Sequence, residues 1–306
     1  MQKFLIRRFF MMIITLIAVS MIIFVMARVG GDPRVLLLDE HATKEQWESL
    51  GRELGMDKPY YHQYAIFIWN VLHGDFGESI KHREPVFEVI EERIWPTIQL
   101  SGGAFCLALL IGIPLGVFSA VWRGTILDQI GRVIALVGQA APSFWLGIMF
   151  MFIFAVKLGL VPPSGMGSWN SFILPMITLA WGGFLAGSLR LMRSAMLDVL
   201  DSEYIKLARA KGVSTRGIIW KHALRNALIP PLTFAGVSMP AILTGSLTTE
   251  LVFAWPGMGQ LAIQALFAAD YPLLQGLVIL FTLGYVLVAL TVDVLYAYID
   301  PRIRYS

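Results

Sequence analysis

The residues of this chain best suited to chemistry are charged, and they gather outside its apolar stretches. Residues 190–227 carry Arg190, Arg193, Lys206, Arg209, Lys211, Arg216, Lys221 and Arg225. A basic run of this kind can pair with carboxylates on a protein partner, or it can mark the inner side of a membrane. A DNA-binding helix-turn-helix has a similar outline, but both ends of this run continue into apolar segments, so it cannot lie in a groove. Catalytic groupings are missing from the apolar segments, which hold no His/Asp/Glu or Ser/Lys cluster. No Gly-Lys dipeptide exists to build a P-loop. A single Cys excludes an internal disulfide and a Cys-based zinc site. His41, His62, His73 and His82 follow no metal-ligand spacing. Ionisable groups inside apolar stretches are functional candidates by default. Among the few here are Asp293, read as capping or pairing with an Arg, and Glu250 at the outer end of the fifth stretch, which with Thr248 and Thr249 is either a pathway-lining group or an interfacial carboxylate.

The elements that must position these groups follow from composition. Of 306 residues 57% are apolar and 15% charged, with a mean hydropathy of +0.68, too apolar for a water-soluble globule or a disordered chain. The chain therefore reads as an all-α integral membrane protein. Six stretches reach the ~20 residues that a transmembrane helix needs: Phe9–Val29, Thr97–Val121, Val133–Leu158, Phe172–Leu189, Leu228–Thr249 and Gln275–Tyr298. The first is too long for a signal-peptide core and lacks a cleavage site, so it reads as an uncleaved span. With the N-terminus inside, the inner segments hold 15 Lys and Arg against seven in 30–96, which also holds 13 acidic residues. That bias places both termini in the cytoplasm. The spans form one domain over 1–306, with an external insert at 30–96 and an internal loop at 195–227.

Helix disruptors mark the spans: Pro114, Pro142, Pro175 and Pro240. Gly138-Gln139-Ala-Ala-Pro142-Ser143 makes the third span soft and polar, so Gln139 and Pro142 join Glu250 as pathway candidates. Gly112-x-x-x-Gly116 and Gly183-x-x-x-Gly187 permit close helix packing. Ala254-Trp255-Pro-Gly followed by Met258–Ala268 reads as a re-entrant or surface helix. In the insert, Gly31-Asp32-Pro33 reads as a turn, and Thr43-x-x-Gln46 as a capping box opening a helix that Gly55 stops. An aromatic helix covers Tyr60–Leu72, and His73–Gly77 is a turn. Val86, Val89 and Ile90 share one face of a short helix leading into the second span. These helices suit a bilayer surface, a docking face for an external partner, or both.

In the internal loop, Ala195–Lys211 reads as one helix with Met196, Leu200, Tyr204 and Leu207 or Ala208 on a stripe. Gly212 stops it, and Ser214 or Thr215 caps a second helix. The wording Glu203-Tyr-Ile-Lys-Leu-Ala-Arg-Ala-Lys-Gly212 with His222-Ala-Leu-Arg-Asn226 resembles the EAA loop of permease subunits in binding-protein-dependent ABC importers, in the form found in the peptide-transporter branch. The likeness continues in Gly31-Asp32-Pro33, Leu54-Gly-Met-Asp-Lys-Pro59, His73-Gly-Asp-Phe-Gly77, Phe253-Ala-Trp-Pro-Gly-Met-Gly259, Asp293-Val-Leu-Tyr296 and Asp300-Pro-Arg302. The general consensus has Glu-Ala-Ala and a Pro where this chain has Lys206-Leu207-Ala208 and Arg225.

The resemblance implies a type I ABC importer permease fold of six transmembrane helices in a bacterial inner membrane. It implies a second homologous permease, two cytoplasmic ATPase subunits that bind ATP and magnesium, and an external substrate-binding protein. Within this chain it implies no cofactor, no enzyme activity and no nucleic-acid partner. Its coupling helix would present Glu203, Ala208, Arg209, Ala210, Lys211 and Gly212 to an ATPase cleft, and Trp255 would belong to a gate above the pathway. The implied cargo is a di- or oligopeptide, with nickel, glutathione, an opine or an oligosaccharide as alternatives on the same machine. A proton-driven secondary transporter would want mid-membrane carboxylates and inverted repeats, and neither is visible.

Overall fold

The computed structural model describes residues 2–29, 38, 43–53 and 58–299. The turn at Gly31-Asp32-Pro33, the Gly55 stop, His41 and the Asp300-Pro-Arg302 ending lie outside the described residues. The described residues are helical, with one isolated β-bridge between Glu78 and Pro85. Among the described residues, five helices are long and apolar enough to cross a membrane, or six if one sharply bent pair counts as a single span. The chain divides into two compact units, 1–96 with 257–290 and 97–256 with 291–306.

In the first unit, helix α1 (Gln2–Val29) opens with Lys3, Arg7 and Arg8 and is apolar from Phe9 to Ala27. Helix α2 (Lys44–Glu53) opens with the expected reciprocal cap: Thr43 N–H donates to Gln46 Oε1 at 2.8 Å, and Gln46 N–H donates to Thr43 Oγ1 at 3.3 Å. Helix α3 (Tyr60–Leu72) lays Tyr64 and Phe67 against Phe24 of α1, with ring centroids 5.4 and 5.7 Å apart. Two glycines with positive φ, Gly74 and Gly77, turn the chain after it. Helix α4 (Val86–Val121) then runs without interruption, so the short separate helix expected before the second span is absent. Pro96 sits inside α4 without ending it. The expected face is correct: Val86, Val89 and Ile90 are buried with Met258, Leu261, Ala262 and Ala265 of α11 (Met258–Phe267) and Leu273 and Leu277 of α12 (Tyr271–Ile299). At ten residues, α11 is too short to span a bilayer.

The second unit contains the remainder of α4, from Thr97. Helix α5 (Ile126–Ala140) and helix α6 (Ser143–Lys157) are bent by 116° across Ala141 and Pro142, which corrects the single third span Val133–Leu158. Pro142 has no N–H to donate and pushes Ala141 out of the helical region, to φ −85 and ψ 134. Helix α7 (Trp169–Leu200) outruns the expected Phe172–Leu189 at both ends. It is broken internally at Gly182 and Gly183, the latter at φ +123.

The internal loop also differs from expectation. Ala195–Lys211 is not one helix: α7 ends at Leu200, and α8 (Glu203–Ala210) starts anew. Ser202 is extended and turns its hydroxyl back to the Val199 carbonyl, a local bond that competes with helix continuation. Residues 215–227 (α9) follow as three contiguous helical pieces whose middle, Ile218–Ala223, has the wider π geometry. Helix α10 (Ile229–Val252) completes the unit. Of the small-residue pairs, Gly112 and Gly116 approach α7 closely, and Gly187 meets the Phe234 ring. Gly183 belongs instead to the break.

Candidate functional site: the α8 tip and the buried Glu250–Trp255 turn

Helix α8 is polar on most of its surface and is held by one apolar side chain. Ile205 is 0% exposed. It lies in a cluster with Val117 and Ala120 of α4, Met192, Ala195 and Met196 of α7, and Ile218 and Ala223 of α9. Of the expected stripe, Met196 is buried, Leu200 and Ala208 are half-buried, and Tyr204 and Leu207 are exposed, since the helix breaks at Asp201 and Ser202. Glu203 pairs with Lys206 at 2.7 Å on the surface, a contact that adds little stability.

The end of α8 is a left-handed stop, as the sequence indicates. Gly212 has φ +75, its N–H donates to the Arg209 carbonyl at 3.0 Å, and Val213 N–H donates to the Ala208 carbonyl at 3.2 Å. A Cβ on Gly212 would meet nothing within 4 Å. Arg209, Ala210, Lys211 and Gly212 are exposed, and Ala208 is half-buried. The result is a blunt, small-residue tip flanked by two cations. Ser214 caps α9, accepting from Gly217 N–H at 3.3 Å.

The pathway candidates separate into two places. Gln139 and Pro142 are exposed at the α5–α6 bend, and Gln139 Oε1 accepts from Arg190 at 3.2 Å. Glu250 and Trp255 are both 0% exposed. Trp255 N–H donates to the Glu250 carbonyl at 2.8 Å, and its ring meets Phe172 edge-on at 4.6 Å. The Glu250 carboxyl accepts from Thr97 Oγ1 at 2.8 Å. These two residues therefore join the last turn of α10 to the turn that follows it, tightened by Ala254 at φ +46. A cavity of about 770 Å³ in the first unit is lined by Arg28, Asp75, Glu78 and Arg83 among others, and none of the four pathway candidates borders it.

Two buried carboxylates escaped the sequence reading. Asp128, 1% exposed, accepts from Ser119, Gly124 and Arg193. The signal was present: Thr125-x-x-Asp128 before an apolar run is a helix-start pattern. Asp270, 0% exposed, accepts from Ser79 Oγ at 2.6 Å and Lys81 N–H at 3.1 Å, and caps α12 through Leu273 N–H at 3.2 Å.

The chain is similar along its whole length to known permeases. A family profile described as binding-protein-dependent transport system inner membrane component matches residues 112–305, and the corresponding N-terminal profile matches residues 1–101. The glutathione transport system permease protein GsiC of Escherichia coli strain K12 is 39% identical over 307 residues, and that of Salmonella typhi 40% over 308, each covering 100% of both chains. Among solved structures, the inward-facing MetNI methionine ABC transporter matches 69% of this chain and 96% of its own with a TM-score of 0.57 at 19% identity. That likeness bears on the fold alone. With profiles and full-length relatives in agreement, the chain belongs to the binding-protein-dependent transport system inner membrane components, the permease subunits of ABC importers.

Proposed function

We propose that this chain forms half of the translocation pathway of an ATP-driven importer for short peptides, with the tripeptide glutathione among its cargo. A second, homologous permease supplies the other half. Two cytoplasmic ATPase subunits bind ATP and magnesium, and an extracytoplasmic protein delivers the cargo. The observation that carries the coupling role is the tip of α8, anchored by Ile205 and exposed from Arg209 to Gly212. Small residues there admit a partner's cleft closely, and Arg209 and Lys211 can meet its carboxylates. Closing of the ATPases pushes this tip, and the push alternates access between the two sides of the membrane. The Glu250–Trp255 turn, closed in this conformation, is the gate that would have to loosen.

The cargo reading is supported by the full-length likeness to glutathione permeases. The test reconstitutes the chain with its co-encoded partners in proteoliposomes and measures ATP-dependent uptake of reduced glutathione, a dipeptide, a pentapeptide and nickel. Glutathione or peptide uptake supports the reading, and uptake of nickel alone overturns it. Uptake by this chain without partners, driven by a proton gradient, would replace it with a secondary transporter.

A further inference from the structure

We infer that Asp128 and Arg193 form a positioning clasp that fixes the root of the coupling helix against α4 and α5. The inference rests on the coupling reading of α8. Asp128 stands in the first turn of α5, where a carboxylate is favoured by the helix N-terminus. Its two oxygens are filled from three separate segments. Oδ1 accepts from Ser119 Oγ of α4 at 2.7 Å and from Arg193 Nε of α7 at 2.7 Å. Oδ2 accepts from Gly124 N–H of the α4–α5 turn at 3.0 Å and from Arg193 Nη2 at 3.0 Å. Arg132 stands by at 3.7 Å on the exposed rim. The Arg193 contact is a fork-on-fork pair, which restricts orientation as well as distance.

Holding the fold together is a poor reason for such a pair, since a buried ion pair is often no more stabilising than apolar side chains of similar volume. The helices already meet without it. A Cβ on Gly116 would stand 2.6 Å from the Met192 side chain, and one on Gly131 would stand 3.1 Å from Ser119 Oγ. What the pair adds is a fixed rotation of α7 at its far end. Only Asp201 and Ser202 separate that end from α8, and Ile205 beds α8 on the same α4 and α7 residues. A push on the tip of α8 therefore reaches a helix that cannot turn freely, and is passed to α4 and α5 instead of being dissipated.

The test uses the complete transporter in proteoliposomes. Asp128→Asn/Arg193→Gln removes both charges and leaves neither one buried alone. Arg193→Lys keeps the charge but loses the fork. Readouts are subunit stoichiometry, ATP hydrolysis, and uptake of a casein-derived peptide mixture with glutathione per ATP hydrolysed. The double variant should assemble normally and lose about tenfold in uptake per ATP, a size in keeping with coupling between distant sites. Arg193→Lys should lie nearer the double variant than the parent. Unchanged uptake per ATP in both overturns the clasp, as does failure of the double variant to assemble, which would make the pair a folding element. Gly212→Val is run alongside. If it couples normally, the reading of α8 fails and the clasp with it. If it uncouples while the Asp128/Arg193 variants do not, the clasp alone is wrong.

Discussion

Asn226 Nδ2 donates to the Tyr204 hydroxyl at 2.8 Å, a bond between the start of α8 and the last piece of α9. Both side chains are exposed. The bond joins α8 to α9 beside the buried Ile205 contact, so that α8, its Gly212 turn and α9 are fastened at two places.

Gly212→Val tests the tip of α8 directly. The Cβ meets no atom within 4 Å, so the change is not a clash within this chain. Its cost is backbone strain at φ +75, about 1–2 kcal/mol for a residue forced left-handed. Membrane insertion should be normal, because one exposed helix stop is a small part of the fold's stability. Co-purification of the ATPase subunits should fall, or ATP hydrolysis should continue without uptake. Ser49→Val, a change of similar size in α2, should leave both at parental levels. Normal assembly and uptake with Gly212→Val and Ala208→Trp would remove the coupling role from this segment.

Gly116 and Gly102 lie on the same helix and should respond oppositely to alanine. At Gly116 the new methyl would sit 2.6 Å from Met192 Cβ and 2.7 Å from the Leu189 carbonyl oxygen, and backbone cannot move aside cheaply. Overpacking of this kind costs about 1–3 kcal/mol. At Gly102 nothing lies within 4 Å, and alanine should gain up to about 1 kcal/mol of helix propensity. Thermal unfolding of the purified chain in detergent, followed by tryptophan fluorescence, should show a lower midpoint for Gly116→Ala and an equal or higher one for Gly102→Ala.

Local signals in the sequence were accurate, and relations between helices were not legible. The Tyr60–Leu72 helix, the Thr43/Gln46 cap, the Gly212 stop and the Ser214 cap each depend on a few adjacent residues, and each stands where its residues indicate. The break at Asp201 and Ser202 was hidden because Met196, Leu200, Tyr204 and Leu207 continue a helical period across it. Once the helix restarts, the register turns and Ile205 becomes the buried anchor. Pro142 announced a disturbance in the third span, but not the size of the bend, 116° across Ala141 and Pro142. Asp128 carried a recognisable helix-start pattern. Its partner Arg193 lies 65 positions away, and nothing in either segment's spacing names the other.

The orientation of the chain is expected from its basic residues, which are concentrated in 190–227. Cys106 is exposed and is replaced first. Single cysteines then go to Ser49 in α2 and Ser214 beside α9, both exposed. In intact cells an impermeant maleimide should label position 49 and leave position 214 unlabelled until the membrane is broken. The reverse pattern would place α8 outside, where no ATPase could reach it.

Asp270 should govern the order of the 78–85 turn. Its carboxyl, fully buried, takes donors from Ser79 Oγ and Lys81 N–H on that turn and from Leu273 N–H at the start of α12. Ser79 Oγ in turn accepts from His82 N–H at 3.0 Å, so one carboxyl orders a chain of contacts from α12 into the turn. Within the turn itself, the Glu78–Pro85 bridge is joined by Arg83 N–H donating to the Ser79 carbonyl at 2.9 Å, and Arg83 is held at φ +56. Asp270→Ala would leave the Ser79 hydroxyl and two backbone N–H groups short of an acceptor, at about 1–3 kcal/mol for each that stays buried. The turn can relieve that cost by opening to water. The α4, α11 and α12 cluster around Val86, Ile90, Leu261 and Leu277 is apolar and does not include Asp270. The expected result is local. Trypsin cleavage at Lys81 and Arg83, both exposed, should accelerate about tenfold or more, because cleavage follows the population of the open form. Helix content by circular dichroism should be unchanged. Ser79→Ala, which removes one donor and leaves the carboxyl its backbone partners, should fall between the parent and Asp270→Ala. Equal cleavage rates in all three would show that the turn is ordered by something other than Asp270.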